Sequence, residues 1–298
     1  MTSKIPLITV IGSINMDMVT STLRVPKQGE TVMGKGFRTT PGGKGANQAV
    51  AAARLGADVQ MIGLVGDDSF GTELLTHLKA ENINVSGVEP ITNQHTGIAT
   101  IIISEGDNRI IVSPGANLDV TPNYIKRYAS LIDESDMVII QLEIPIDSVE
   151  YAIRYCTNKG IPIILNPAPA NGLSEKTFEA VTFMTPNETE KEEMGVEEAD
   201  YPEKLIVTLG EKGVSYVTKE QKKVVVPGFK ADVVDTTGAG DTFNGALAVG
   251  LGRNMELRSA IQYANAAAAL SVQKFGAQGG MPTYNEVRSF LQKKDIEL

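Results

Sequence analysis

The sequence predicts an α/β protein: a three-layer, Rossmann-like, mostly parallel sheet flanked by helices, with a small β-sheet lid. Three observations carry this. Short apolar runs alternate with stretches of helical periodicity along most of the 298 residues. Polar side chains fall repeatedly just after those runs, where ligands bind in such sheets. A hairpin and a Thr/Gly/Lys-rich stretch break the alternation, and these two segments, roughly 18–40 and 97–113, make the lid of a single domain spanning 1–298. The competing reading of the hairpin is an extension of the main sheet.

Leu7 to Ile11 reads as a buried strand, and Asn15 and Asp17 follow its end. Together they suit adjacent hydroxyls, one side chain donating and accepting, the other only accepting; an Asx turn is the plainer alternative. Pro41-Gly-Gly-Lys-Gly-Ala-Asn47 then leads into a helix, Gln48 to Leu55, that Gly56 ends. It is not a Walker A loop, because Gly rather than Ser or Thr follows Lys44 and the first glycine is missing. Lys44 and Asn47 are placed for polar substrate groups, or simply as loop and cap.

Val59–Val65 is a strand, Ser69–Glu81 a helix, and Gly97–Ile103 with Arg109–Val112 flank the turn Glu105-Gly-Asp-Asn108. A helix near 121–132, a strand Met137–Glu143, a helix Asp147–Asn158 and a strand Ile161–Leu165 resume the alternation. Glu143, Asn166, Asn187, Glu190 and Thr208 all stand at or after strand ends, the pattern of a cleft along one sheet edge. Asn187 and Glu190 offer oxygens to a metal held mainly through water, as Mg²⁺ prefers; equally they form a capping pair on a helix from Glu188 to Met194.

The stretch Asp235-Thr-Thr-Gly-Ala-Gly-Asp241 organises the C-terminal quarter. Branched residues from Lys222 to Val234 predict a strand before it, and Phe243, Leu247 and Leu251 predict a helix after it. Gly238 and Gly240 permit positive φ and close ligand approach, and the N–H groups at the helix start suit a phosphate. A carboxylate at that position, Asp241, fits a base that deprotonates an attacking hydroxyl; alone, it is an ordinary first-turn acid. An alanine-faced helix carrying Asn265 and a last helix, Tyr284–Gln292, complete the chain.

Composition removes several function classes. The net charge of −9 and the absence of a basic run argue against nucleic acid as a partner. A single cysteine, Cys156, excludes an internal disulfide, and the histidines His77 and His95 carry no zinc or Ser-His-Asp pattern. No stretch is long enough to span a membrane and none reads as a signal peptide, so the expectation is a cytoplasmic protein without a membrane partner.

With both glycine signatures in order, about 190 residues apart, nearly the whole chain resembles the ribokinase-like carbohydrate kinases. The resemblance implies transfer of the ATP γ-phosphate to the 5-hydroxyl of D-ribose with Mg²⁺; 2-deoxyribose or another small sugar or nucleoside is the alternative acceptor. By matched position, Asp241 is the base and the N–H groups of Ala239, Gly240 and Asp241, after Gly238, form the anion hole. Asn15, Asp17, Gly43, Lys44, Asn47 and Glu143 hold the sugar; Asn187, Thr208, Gly210, Gly213, Gly240 and Asn265 bind the nucleotide. Asn187 and Glu190 organise Mg²⁺ through water. Asp235, Thr237, Ser271, Lys274, Gly276 and Gly280 match a K⁺ site, where Gly280 replaces the usual Ser. The resemblance also implies a homodimer formed through the lid. A non-catalytic sugar binder would lack Asp241 or the glycine turn, and a nicotinamide oxidoreductase would need G-x-G-x-x-G where Gly12-Ser-Ile-Asn-Met-Asp17 stands.

Overall fold

A strand buried on both faces is almost wholly apolar, with alternate side chains entering opposite cores. The run Leu7–Ile11 (β1) behaves this way, Ile8 and Val10 facing one core and Ile11 the other. The computed structural model describes residues 4–105, 107–170 and 172–296.

After β1 come β2 (Asn15–Thr22), β3 (Gly34–Gly42), α1 (Lys44–Arg54), β4 (Asp58–Gly66), α2 (Ser69–Ala80) and β5 (Asn84–Ile91). The hairpin is β6 (Gly97–Ser104) and β7 (Asp107–Ser113), closed by the Ser104–Asp107 pair; the expected turn residue Gly106 lies outside the described residues. The helix expected near 121–132 breaks at Tyr128 into α3 (Pro122–Arg127) and α4 (Ala129–Asp133). Then follow β8 (Met137–Gln141), α5 (Ile146–Lys159), β9 (Ile163–Asn166), α6 (Glu175–Ala180), β10 (Phe183–Met184) and α7 (Glu188–Met194). The last third holds β11 (Val207–Thr208), β12 (Val214–Val217), β13 (Lys223–Val226), α8 (Ala239–Gly252), α9 (Leu257–Ser271) and α10 (Tyr284–Gln292).

The main sheet is six-stranded and parallel, in the order β10-β9-β8-β1-β4-β5. Residues of α1, α2, α8, α9 and α10 share one core with it, and residues of α3 to α6 share the other, which gives three layers. A short antiparallel sheet, β11-β12-β13, continues from its edge through the Met184–Leu205 and Asn187–Thr208 bridges. The second sheet is separate: β3-β2-β6-β7, with β2 and β6 parallel and the outer pairs antiparallel. So the hairpin does not extend the main sheet. Among the described residues no helix is long and apolar enough to cross a membrane.

One expected element is corrected. The branched run before the glycine turn is a strand only as far as Val226. Pro227-Gly228 ends the pairing, and Val233 and Val234, each 62% exposed, belong to an open segment that leads to Asp235.

Candidate active site

The site exists because α1 and α8 touch. Gly245 makes this possible: a Cβ there would sit 2.7 Å from the Ala51 Cβ and 2.9 Å from the Gln48 carbonyl oxygen. Asp241 is one turn earlier on the same face of α8. Its two oxygens therefore meet the first turn of α1, with Asn47 Nδ2 donating to Oδ2 at 2.9 Å and Gln48 Nε2 donating to Oδ1 at 3.0 Å. Asp241 is buried, which pushes its pKa up; Lys44, Asn47 and Gln48 pull against that rise, and Glu143 adds to it.

Gly238 caps α8 in the left-handed conformation, φ 79°. Gly240 is not a second such residue but lies within α8, with nothing within 4 Å of the place its Cβ would occupy. That leaves open approach to the first-turn N–H groups of Gly240 and Asp241, which have no acceptor one turn back. The expected third donor is different: the Ala239 N–H already bonds the Thr236 carbonyl at 3.2 Å. Asn244 fixes the turn from inside, donating to the Gly240 carbonyl at 2.9 Å and accepting from the Thr185 hydroxyl at 2.6 Å. A cavity of about 160 Å³ opens here, bordered by Gly238, Gly240, Asp241, Lys44, Glu190 and Thr208.

Lys44 begins α1, just after its Gly43 N-cap. Burial works against its ammonium, but Asp241, Glu143 and Glu190 outweigh that and hold its pKa above the ordinary value. Glu143 accepts from the Ser13 hydroxyl at 2.5 Å and the Lys44 N–H at 3.2 Å, which anchors it at the same helix end.

Asn15 and Asp17 are not in an Asx turn. They lie on β2, two residues apart and so on one face, both buried. Asn117 Nδ2 donates to the Asn15 side-chain oxygen at 2.7 Å, and Gly97 gives the pair room, since a Cβ there would collide with both. Gly42 does the same for Asp17. The Asp17 pKa is pushed up to about 7, first by burial and then by Glu143 and Asp241. A second cavity, about 310 Å³, lies against this sheet, bordered by Asp17, Thr40, Ile101, Val234, Asp235 and Phe275.

Asn187 and Glu190 form a capping box on α7, each side chain accepting from the other's backbone N–H at 2.8 Å. Glu190 still borders the smaller cavity, and burial raises its pKa. Thr208 borders it too. Gly210 and Gly213 flank a 3₁₀ turn, and the Asn265 amide donates to the Val226 and Pro227 carbonyls at 3.1 and 3.2 Å, which holds the end of β13.

The six residues matched to a cation site divide. Asp235 accepts from the Thr237 N–H and hydroxyl at 2.9 and 2.7 Å and from the Gly276 N–H at 2.9 Å, so these three converge. Burial acts to raise the Asp235 pKa, but those two N–H groups, the Thr237 hydroxyl and the Arg38 charge hold it below the ordinary value. The charge beside Asp235 is thus Arg38 on β3, whose guanidinium stacks on Phe275 at 3.6 Å from the ring centre. Lys274 and Gly280 border another hollow, of about 430 Å³, with Glu286 and Phe290. The Gly280 Cα packs on the Ser271 carbonyl so closely that any Cβ would collide with it.

Sequence reading missed Gln48 and Ser13, which bond Asp241 and Glu143 directly, and Gln141, Gln278 and Asn117, which bond the amides Gln48, Asn47 and Asn15. Gln48 looked like the interior of an alanine helix and Gln278 like loop. No local pattern marks an amide whose partner is 193 or 231 residues away.

The profile described as pfkB family carbohydrate kinase matches residues 6–284. The chain is 51% identical over 290 residues to the ribokinase of Bacillus subtilis (strain 168), covering 95% of this chain and 99% of that one. It is 36% identical over 301 residues to the deoxyribokinase of Salmonella typhi, covering 95% and 98%. The structure of Arabidopsis thaliana ribokinase complexed with ribose and ATP is similar at a TM-score of 0.87 and 29% identity, covering 97% of this chain and 99% of that one. A match of this extent, over a buried aspartate at an open helix end, means that the chain belongs to the pfkB family of carbohydrate kinases.

Proposed function

We propose that this kinase transfers the γ-phosphoryl group of ATP to the 5-hydroxyl of D-ribose. The observation that carries the reading is Asp241 in the wall of the cavity at the open end of α8, its carboxylate held by Asn47 and Gln48. The cavity at Gly240, about 160 Å³, opens onto the first-turn N–H groups of α8, where a phosphoryl group is held. The second cavity lies by the Asp17 strand, as a sugar requires. The similarity to ribokinases, one of them described with ribose and ATP, supports both substrates.

Asp241 accepts the proton as the sugar oxygen attacks phosphorus; the leaving ADP takes the P–O bonding electrons. Lys44 and the Gly240 and Asp241 N–H groups stabilise the charge on the transferring group. Asn15 and Asp17 orient the sugar, and β2, β3, β6 and β7 act as a lid that excludes water and serves as the surface through which two subunits pair.

No cluster of three metal-binding side chains occurs among the described residues. One carboxylate at the cavity, Glu190, fits a Mg²⁺ that arrives on the nucleotide and is held through water, with Asn187 keeping Glu190 in place. When bound, Mg²⁺ supplies neutralising charge at the phosphates. Asp235, Thr237 and Gly276 fit a large monovalent cation such as K⁺, whereas Lys274 and Gly280 border the separate hollow and are not counted among its ligands.

The test is ATP consumption against a panel of ribose, 2-deoxyribose, fructose and nucleosides. Ribose should give the highest kcat/KM; a preference for 2-deoxyribose would move the assignment to that sugar, and turnover of none would overturn it.

A further inference from the structure

Two lines of side-chain amides end on Asp241, one on each oxygen. On Oδ2, Asn47 donates, the Asn47 carbonyl accepts from Gln278 Nε2 at 2.9 Å, and the Gln278 carbonyl accepts from His77 Nε2 at 2.6 Å. On Oδ1, Gln48 donates and its carbonyl accepts from Gln141 Nε2 at 2.7 Å. An ionised carboxylate only accepts, so each amide must turn its NH₂ toward Asp241 and its carbonyl away. The order propagates outward until His77, whose Nε2 must carry a proton. That requirement holds for the neutral ring and for the cation, since the second proton goes to Nδ1. No member of either line can flip without setting two acceptors or two donors against each other.

We propose that Gln278 and His77 are positioning residues that fix Asn47, and through it the Asp241 carboxylate, in the orientation that receives the hydroxyl proton. The inference rests on the reading of Asp241 as the base. Neither residue borders the cavity at Asp241. Hydrogen bonds aligned head to tail in a buried setting reinforce one another, so the far end matters to the near one. The Gln278 backbone is held independently: Arg54 Nη1 donates to its carbonyl at 2.5 Å and to the Met281 carbonyl at 3.3 Å. Changing the Gln278 side chain therefore leaves the loop in place.

The experiment compares Gln278→Met, His77→Leu and His77→Gln with the native enzyme in steady-state kinetics and pH profiles. Gln278→Met should lower kcat about 10-fold, with KM for sugar and ATP within about 2-fold, as expected for one hydrogen bond in a line that ends on a charge. The acid limb of kcat/KM should move up by roughly 0.5–1 pH unit, because the line stabilises the anion. Lys44 on α1, Asp17 on β2, Glu143 after β8 and Glu190 on α7 are the other charged groups facing Asp241, and all are unchanged in these variants. His77→Leu should move both readouts in the same direction, and His77→Gln, which keeps an N–H donor, should restore them. A lower Tm with unchanged kcat and acid limb would make both residues structural and overturn the proposal. Asp241→Asn separates the two readings: if it retains turnover, the base assignment fails, whereas if it loses turnover and Gln278→Met does not, only the positioning role fails.

Discussion

Asn47 and Asp241 come from glycine signatures 194 residues apart, and the Asn47 amide donates to the Asp241 carboxylate at 2.9 Å. The first signature supplies the donors that orient the Asp241 carboxylate, and the second supplies that carboxylate, the base of the proposed function, and the open N–H groups.

Asp241→Asn should therefore lower kcat by roughly 10²–10⁴, the span of a general base, while the fold persists. Tm should fall by no more than a few degrees, because the Asn amide relieves the buried carboxylate but sets its NH₂ against the donor of either Asn47 or Gln48. Stopped-flow or coupled-assay kcat with calorimetry on the same samples checks both halves. Near-normal turnover would return Asp241 to a first-turn acid.

Gly245→Ala tests the helix contact beneath the site. The added Cβ needs space that Ala51 and the Gln48 carbonyl occupy, so α1 and α8 must separate. The cost should be about 1–3 kcal/mol in urea unfolding, accompanied by a fall in kcat larger than that in ATP affinity. An unchanged kcat in the folded variant would show that the Asp241–Gln48 distance tolerates the shift.

Asp17 gives a pH prediction. Its folded pKa of about 7 lies above the ordinary 3.8, so the stability it contributes is full below the unfolded value and is lost as pH rises through 7. The stability advantage of Asp17→Asn over wild type should grow between pH 4 and 7 and then level off, at a few kcal/mol or less, with Tm following it, since each unit is about 1.4 kcal/mol. The same variant should lower kcat/KM for ribose at pH 8 far more than it changes ATP binding. A pH-independent Tm difference would remove Asp17 from the titration.

Activity should rise with K⁺ at fixed Mg²⁺ and ionic strength, and much less with Na⁺. The physical reason is the anionic Asp235 under a turn that leads directly into the open N–H groups, a place where a weakly hydrated cation orders the backbone. Arg38 already contributes charge there, so Arg38→Ala should steepen the K⁺ dependence and raise KM for the sugar. Equal rates in matched K⁺, Na⁺ and bulky organic-cation buffers would leave Asp235 a structural acid.

The main sheet was legible because its strands are apolar on both faces, as in Met137–Gln141, and because helix periodicity separates them. The edge strand Asn84–Ile91 was not, since Gly87 and Pro90 interrupt a half-polar run. Val233 and Val234 were read as strand because branched residues have one local meaning; in the fold they border the cavity that also meets Asp17. The acidic residues were legible in the same way, by position after strands or at a glycine turn. Their amide partners were not. The Asn187–Glu190 pair carried two readings, and the capping box is the one that the geometry displays.

The side chains of Asn15 and Asp17 stand on β2, whereas every hydrogen bond described to Asp241 comes from α1. If the proposed roles hold, the β2 pair that meets the sugar is thus separate in the chain from the helix that holds the base. On the proposed function, a library confined to β2, β3 and β6 varies the β2 share of the sugar contacts while every hydrogen bond described from α1 to Asp241 stays fixed.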